Sequence, residues 1–380
     1  MRQRGGKPSI ILLVFLALLS LVFFYQAEKS QKPRKAEFYN EKIQAAELAQ
    51  KAHNIVKAKL SEKGYVIDIQ NDPNMTGLIG PQYSLITTDR GYIRDKLIST
   101  NPNAAAMLID LYHRAGLTRG DKIAVTFSGS FPGMNIAVLA ACKVMGLEPV
   151  IITSVGASTW GANWEQFTWL DIESALNDDG LWDYRSTAAS IGGGNDHGRG
   201  LSPQGRDMIL DAITRNNVEL INSDSEDERP GSLESSIHKR IEIFDLAKGN
   251  DEYKAVVNVG GGLAAIGSAQ NGRLMLPGLN RRLWEHELPA NGAINILAER
   301  RIPVIHLLKM TQLAQRYGLP VDITPEPEIG VGQIYVLEKY SITTTVIYTV
   351  ILLVIVWAAI RLDFRYYIYR NKHLFVKKNA

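Results

Sequence analysis

The chain has 380 residues, of which 46% are hydrophobic and 21% are charged, a composition typical of a globular protein that buries a full core. The net charge of +3 is unevenly distributed, because nine cations and one acid lie within the first nine and the last twenty residues. The remaining 33 basic and 38 acidic residues give the middle of the chain a net charge of −5, which argues against a general nucleic-acid-binding protein.

An apolar segment lies near each end of the chain. Residues 10–25 follow a basic tip, residues 1–9, and the following sequence lacks the small-x-small pattern of signal-peptide cleavage. We therefore expect an uncleaved transmembrane anchor, with a cleaved signal peptide as the alternative. Residues 342–360 carry no charge over 19 positions, close to the ~20 that cross a bilayer. We expect a second transmembrane helix there, with a buried core helix as the alternative.

The basic residues beside both apolar segments predict the topology. Because Lys and Arg stay on the cytoplasmic side of a membrane, residues 1–9 and the tail of residues 361–380 are both expected in the cytoplasm. Residues 26–340 then lie outside it. We expect a protein of the bacterial plasma membrane that is anchored in the lipid bilayer at both ends.

Residues 26–64 predict a juxtamembrane amphipathic helix, because apolar side chains recur on one stripe and Gly64 ends the segment. Its polar face mixes both signs of charge, which favours packing on the domain over binding to the membrane surface. A strand is expected at 65–69. A helix is expected to begin at Asn101-Pro102.

The segment 125–135, VTFSGSFPGMN, predicts a strand, a tight turn and the start of a helix. The helix contains Cys142, which we expect to be buried and which, as the single cysteine, excludes an intrachain disulfide. We predict an α/β fold for the extracytoplasmic domain, residues 65–318, with an open, mostly parallel sheet and flanking helices. Its expected elements are strands at 123–127, 149–153, 218–221, 255–259 and 302–305, helices at 135–145, 203–213, 233–249 and up to 318, an exposed loop at 223–230, and a linker at 319–341.

Small and hydroxyl residues follow three of the predicted strands. Because the carboxyl ends of parallel strands lie on one rim of a sheet, we expect these loops to converge on a crevice that binds an anion. The alternative is a set of tight turns with no ligand. The predicted ligand-binding residues are Ser128, Gly129, Ser130, Asn135, Ser154, Ser158, Gly260, Gly261 and Gly262.

The signals for catalysis are weaker. Ser130 misses the G-x-S-x-G spacing of a nucleophile elbow by one position. His197 and Asp196 lie in a glycine-rich loop, residues 192–200, which could bring a base to the crevice or could be a flexible surface segment. The histidines lack metal-ligand spacing and GGGLAAIG is not a dinucleotide fingerprint, so we expect no metal and no cofactor. Four aromatic residues within 160–169 are expected to pack in the core rather than to stack on a ligand.

Five strings lie between the two terminal apolar segments: STNPN at 99, SGSFPGMN at 128, SVGASTWGAN at 154, FTWLDIE at 167 and VNVGGG at 257. Together they resemble the poly-γ-glutamate system protein family, also called PgsW-like, over nearly the whole chain. The resemblance implies an inner-membrane accessory component that works beside the ligase and export proteins of a poly-γ-glutamate capsule. It implies no catalytic mechanism.

Two functions follow as alternatives. The first is a non-catalytic accessory protein that contacts the polymer or the synthase and export components. The second is an extracytoplasmic hydrolase or transferase that acts on the polymer or on a phosphorylated precursor, with Ser130, His197 or Asp196 in its active site. The missing triad signature favours the first. Because the outer domain is net acidic, contact with polyglutamate would need a local cationic patch, for which the candidates are Arg199, Arg206, Arg281 and Arg282.

Overall fold

The computed structural model describes residues 10–221 and 232–361, which form two compact units. A terminal unit contains the described residues up to Lys35 and from Val336 onward. The second is the α/β unit, Ala36–Tyr335. The basic tip, the loop expected at 223–230 and residues 362–380 of the basic tail lie outside the described residues.

Helices and strands alternate along most of the chain. The helices are α1 (Ile10–Lys29), α2 (Tyr39–Glu62), α3 (Ile93–Ser99), α4 (Ala104–Ala115), α5 (Pro132–Met145), α6 (Trp169–Asp178), α7 (Pro203–Arg215), α8 (Leu233–Lys248), α9 (Leu263–Ile266), α10 (Ala269–Leu274), α11 (Ala293–Ala298), α12 (Met310–Tyr317) and α13 (Ile342–Arg361), with a 3-10 turn at Leu283–Glu285. The strands are β1 (Lys32–Lys35), β2 (Thr87–Asp89), β3 (Lys122–Ser128), β4 (Glu148–Ser154), β5 (Ala157–Ser158), β6 (Ser186–Ser190), β7 (Glu219–Leu220), β8 (Ala255–Val259), β9 (Gly278–Asn280), β10 (Val304–Leu307) and β11 (Val336–Lys339).

The terminal unit joins two apolar helices through a small antiparallel sheet. Strands β1 and β11 pair from Lys32↔Lys339 to Lys35↔Val336. By length and composition α1 is able to cross a membrane, a property that a signal sequence shares. The side chains of α13 are described over Ile342–Ala358, a shorter apolar stretch. Among the described residues, α1 is therefore the helix with the length and composition of a membrane span.

Seven strands form the main sheet of the α/β unit, in the order β7-β6-β4-β3-β8-β10-β9. Six strands are parallel, and β9 runs antiparallel to β10 at one edge. The predicted α/β class and mostly parallel sheet are confirmed. Because β3 and β4 are in register from Lys122↔Glu148 to Ser128↔Ser154, the serines that end both strands lie side by side.

The central strands are buried on both faces, as expected for a parallel sheet covered by helices. Successive side chains of a strand point to opposite faces, and Ala124 and Val256 pack on one face with Phe244 of α8 and Leu297 of α11. Cys142 is buried in α5, as predicted.

The amphipathic helix predicted before the domain is α2, and it belongs to the α/β unit. Its stripe of buried apolar residues packs against α4 and α5, so packing on the domain is confirmed. Lys42 is buried in this contact, where its Nζ lies 2.8 Å from a carboxylate oxygen of Asp110 and donates to the carbonyl of Ile334 at 3.0 Å.

Most predicted elements of the sheet are found within a few residues of their expected positions, but the strand expected at 65–69 is wrong. The Asp68 carboxylate accepts hydrogen bonds from the Gln70 N–H at 3.0 Å and from Asn71 Nδ2 at 2.6 Å. These bonds bend the chain into a turn, and they leave Val66 and Ile69 exposed.

Strand β6 and helix α6 were not predicted. The sequence of β6, STAAS, has one β-branched residue, Thr187, and no aromatic residue, and it becomes a strand by pairing with β4. Helix α6 begins in the aromatic cluster, where a reciprocal capping box joins Thr168 and Asp171. Of that cluster, Phe167 and Trp169 are buried as predicted, whereas Trp160 and Trp164 are partly exposed.

Residues 319–335 of the predicted linker belong to the α/β unit. The Tyr335 hydroxyl donates to Asn103 Oδ1 at 2.5 Å, and Asn103 Nδ2 donates to the carbonyls of Pro327 and Glu328, each at 3.3 Å. The STNPN string thus holds the end of the α/β unit in place.

Candidate functional site

Strands β3 and β8 are parallel neighbours, and the chain continues from them toward opposite edges of the sheet. The chain leaves β3 through α5 toward β4 on one side, and it leaves β8 toward β10 on the other. Open α/β sheets bind ligands at such a switch point, beside the carboxyl ends of the strands. Ser128 ends β3 and Gly260 follows β8, so the predicted loops meet there. We call the region formed by Ser128, Ser154 and residues 260–262 the sheet crevice.

The glycine run forms a tight turn across the end of β3. Gly260 has φ +92°, and a Cβ there would lie 2.3 Å from Ser128 Oγ. A Cβ on Gly262 would lie 3.5 Å from Ser154 Oγ, and one on Gly261 would meet open space. Within the described residues, the N–H groups of Gly261 and Gly262 donate to no protein acceptor. The turn therefore holds two free backbone donors beside two serines.

Buried polar side chains hold this turn. Asn258 Nδ2 donates to the Gly260 carbonyl at 2.9 Å, and its Oδ1 accepts from Thr126 Oγ1 at 2.7 Å. His306 Nδ1 lies 2.9 Å from Asn258 Nδ2. Burial lowers the pKa of His306 to about 4, with a smaller contribution from the charge of Lys309. His306 is therefore neutral near pH 7, and its ring nitrogen accepts the Asn258 bond.

Ser128 and Asn135 are joined through backbone groups. Ser128 Oγ donates to the Val259 carbonyl at 3.3 Å, which ties β3 to β8. Asn135, in the first turns of α5, donates from Nδ2 to the Ser128 carbonyl at 3.1 Å, and its buried Oδ1 has no partner within the described residues. Asn135 positions the turn that follows β3.

The turn after β3 is tied to the loop after β4. The Gly129 N–H donates to the Ser154 carbonyl at 2.9 Å, and a Cβ on Gly129 would lie 2.3 Å from the Val155 carbonyl oxygen. Ser130 Oγ accepts the Ser158 N–H at 3.0 Å. Glycine is required at 129 because two backbone segments approach each other there.

Ser154 belongs to a buried ion-pair network. Its Oγ donates to Asp196 Oδ1 at 2.9 Å and accepts from Arg240 Nη2 at 3.0 Å. The side chains of Asp196 and Arg240 are each 1% exposed and lie 2.7 Å apart. Burial acts to raise the pKa of Asp196, but the Arg240 charge and the hydrogen bonds from Ser236 and Arg240 outweigh it and hold that pKa below its usual value. Asp196 thus fixes the glycine-rich loop to α8.

The structure does not join the candidate catalytic residues Ser130 and His197. Among the described residues, no hydrogen bond connects them, and the buried His197 Nε2 has no partner. The carboxylate of Asp196 is committed to Arg240, Ser154 and Ser236.

The four candidate arginines do not share one edge of the sheet. Arg199 and Arg206 follow β6, and Arg206 Nη1 donates to the Leu201 carbonyl at 3.1 Å. Arg281 and Arg282 follow β9, and because β9 is antiparallel, the chain leaves it at the amino edge of the parallel strands.

A pocket of about 400 Å³ also lies at that amino edge, lined by residues that include Tyr253, Arg300 and Pro303. None of the predicted ligand-binding residues lines it.

Three buried polar side chains of this region escaped the sequence analysis, although the position of each in the sequence carried a signal. Arg240 lies on the apolar stripe of the predicted helix with Ile237 and Phe244, and Asn258 interrupts the apolar strand AVVNV. Lys96 of α3 is 1% exposed, and its Nζ lies 2.7 Å from Ser158 Oγ. A polar residue at an inward position is the shared signal.

Comparisons of the chain with protein-family models, with curated proteins and with solved structures found no match.

Proposed function

We propose that this chain is a membrane-anchored accessory protein of poly-γ-glutamate capsule synthesis or export, and that its α/β unit binds an anionic ligand in the sheet crevice. The observation that carries the binding role is the pair of free N–H groups at Gly261 and Gly262, held at the switch point beside Ser128. The five sequence strings support the capsule role, and α1 supports membrane attachment.

The donors of the crevice favour an anion bound through hydrogen bonds. Backbone N–H groups such as those of Gly261 and Gly262 recognise carboxylate or phosphate oxygens without a formal positive charge. The Arg240 charge does not change this, because Asp196 neutralises it. A carboxylate of the polymer is therefore the ligand class we propose, with the synthase and export components of the membrane as partners.

A hydrolase or transferase built on Ser130 has weaker support. Such an enzyme needs a base within hydrogen-bond reach of the nucleophile. Ser130 Oγ accepts the Ser158 N–H, and within the described residues no titratable side chain forms a hydrogen bond with this oxygen. Binding is therefore the function we propose for the sheet crevice.

Gly261→Val tests this function. We expect the variant to reach the membrane at the wild-type level, because the new side chain enters open space within the protein. We expect it to weaken binding of γ-glutamate oligomers to the full-length protein by roughly ten- to a hundredfold, the effect of about 1.5–3 kcal/mol in lost hydrogen bonds to a charged group. Calorimetry would measure binding, and capsule yield would be measured in a strain deleted for this gene.

Gly261→Ala is a second variant at the same position. We expect a smaller loss of binding affinity from it, because alanine has a smaller side chain than valine. Unchanged affinity with both variants would refute the crevice as the ligand site. Normal capsule in the deletion strain would refute the capsule role independently of the crevice.

We further propose that α1 and α13 both cross the membrane and that both termini are cytoplasmic. The basic residues outside each apolar segment support this topology. We expect a reporter that fluoresces only in the cytoplasm to be bright when fused to either end. A dark C-terminal fusion beside a bright N-terminal one would refute the double anchor, and a mature N-terminus near Glu28 would reveal a cleaved signal peptide.

A further inference from the structure

A lysine is buried beside a serine where the turn after β3 meets the loop after β4. Lys96 Nζ lies 2.7 Å from Ser158 Oγ, donates to the Ser130 carbonyl, and sits 4.2 Å from the ring centroid of Phe131. Within the described residues, no carboxylate lies within salt-bridge distance of this Nζ. Lys42, which is equally buried, is 2.8 Å from the Asp110 carboxylate. The contrast matters because a buried ammonium without a carboxylate is costly, whereas a neutral amine is not.

The charge of the neighbouring Asp95 only partly opposes the neutral form of Lys96. Burial lowers the pKa of Lys96 to about 7, and the carboxylate of Asp95 on the same helix acts in the opposite direction. That carboxylate is engaged elsewhere, because it accepts from the backbone N–H of Thr311 at 3.0 Å and from its hydroxyl at 2.7 Å. Ser130, Ser158 and Phe131 on the other packed segments carry no charge. A large fraction of Lys96 is therefore an uncharged amine at neutral pH.

The backbone holds the serine in place against this amine. The Ser158 N–H donates to Ser130 Oγ at 3.0 Å, and the Ser158 carbonyl accepts from Asn163 Nδ2 at 2.8 Å. A Cβ on Gly91 would lie 3.1 Å from Ser158 Oγ and 2.9 Å from Lys96 Cε, so a side chain at 91 would press on both groups. Ser158 is partly exposed, whereas Lys96 is buried.

We propose that Ser158 and Lys96 form a nucleophile and general-base pair that cleaves carboxylic esters or amides. Neither residue of this pair belongs to the sheet crevice as defined above, and the inference does not rest on the proposed function. An amine within hydrogen-bond reach of a hydroxyl is the arrangement that a serine nucleophile requires, with lysine in place of histidine.

The chemistry balances without a cofactor. Ser158 Oγ bonds to the substrate carbonyl carbon while its proton moves to the neutral Lys96 Nζ. The tetrahedral intermediate collapses, the bond from carbon to the leaving nitrogen or oxygen breaks, and Lys96 returns its proton to the leaving group. Water then attacks the acyl-serine, giving its proton to Lys96, and the carboxylic acid leaves as the Ser158 hydroxyl is restored by that proton.

A biotinylated fluorophosphonate tests the pair in membranes that contain the full-length chain. This probe forms a bond from phosphorus to an activated serine oxygen and releases fluoride. We expect peptide mapping to find the label on Ser158, with a labelling rate that rises with pH and has its midpoint near 7. Ser158→Ala should abolish labelling. Lys96→Met, which fills a similar volume, and Lys96→Arg, which stays charged, should each slow it by about 10²–10⁴-fold.

Ser84→Ala is the control, because Ser84 is another partly buried serine and its hydroxyl faces Thr87 rather than a lysine. Its labelling should match the wild type. An unlabelled Ser158 in the folded wild type would overturn the proposal. A labelling rate that changes neither with pH nor in the Lys96→Met variant would also overturn it. If a lysine variant does not fold, the pH profile of wild-type labelling and the result with Ser158→Ala still test the proposed pair. Gly261→Val leaves Ser158 and Lys96 untouched, so failure of the crevice and failure of the pair are distinguishable.

Discussion

Arg240→Ala is expected to destabilise the α/β unit by about 3–5 kcal/mol, because it leaves the Asp196 carboxylate buried without its counter-charge. Ser154 and Ser190 lose a hydrogen-bond donor at the same time. Urea unfolding of the full-length protein in detergent, followed by tryptophan fluorescence, would measure the change. Because the pKa of Asp196 is held below its usual value, its contribution is present at neutral pH and is lost as the pH falls below about 4. The stability difference between wild type and variant should therefore narrow in acid.

Arg185→Ala is the matched control. Arg185 also pairs with an aspartate, Asp178, but its side chain is 54% exposed and the two groups are 3.5 Å apart. An exposed pair of this kind contributes less than about 1 kcal/mol. Equal effects of Arg185→Ala and Arg240→Ala would contradict a dominant role for the buried pair in holding the glycine-rich loop.

Gly260→Ala is expected to cost about 2–4 kcal/mol, although it adds one methyl group. The residue has φ +92°, which an L side chain rarely adopts, and its Cβ would lie 2.3 Å from Ser128 Oγ. The same unfolding measurement applies. Gly261→Ala provides the internal comparison, because a Cβ there meets open space and the backbone is not in the positive-φ region, so less than about 1 kcal/mol is expected.

The order of the two effects is the informative result. If Gly261→Ala destabilised the protein as much as Gly260→Ala, the turn would be packed at both positions. The space next to Gly261 would then not be open to a ligand. A large effect at 260 with a small one at 261 would fit a rigid turn that leaves its second glycine free for binding.

Local sequence patterns were sufficient to predict the structure where neighbouring residues determine it. Runs of four or five mostly apolar residues predicted β3, β4, β8 and β10, and alternation with helices predicted the parallel sheet. The predicted strand at 65–69 failed because the side chain of Asp68 bonds to nearby backbone and amide groups. Strand β6 was missed for the opposite reason. Its pairing partner β4 lies some thirty residues earlier, and its own composition only weakly favours a strand.

The sequence by itself determined that the chain is α/β and that serines and glycines end adjacent strands, since strand direction places such loops on one rim. It did not determine which polar groups meet. Ser154 reaches Asp196 and Arg240 across 42 and 86 residues, and Ser158 reaches Lys96 across 62. Periodicity describes which face of a strand or helix is buried, but it does not specify the partner that a buried polar group finds there. Only the packed tertiary structure decided that buried Arg240 pairs with the carboxylate of Asp196 and that buried Lys96 lies against the hydroxyl of Ser158.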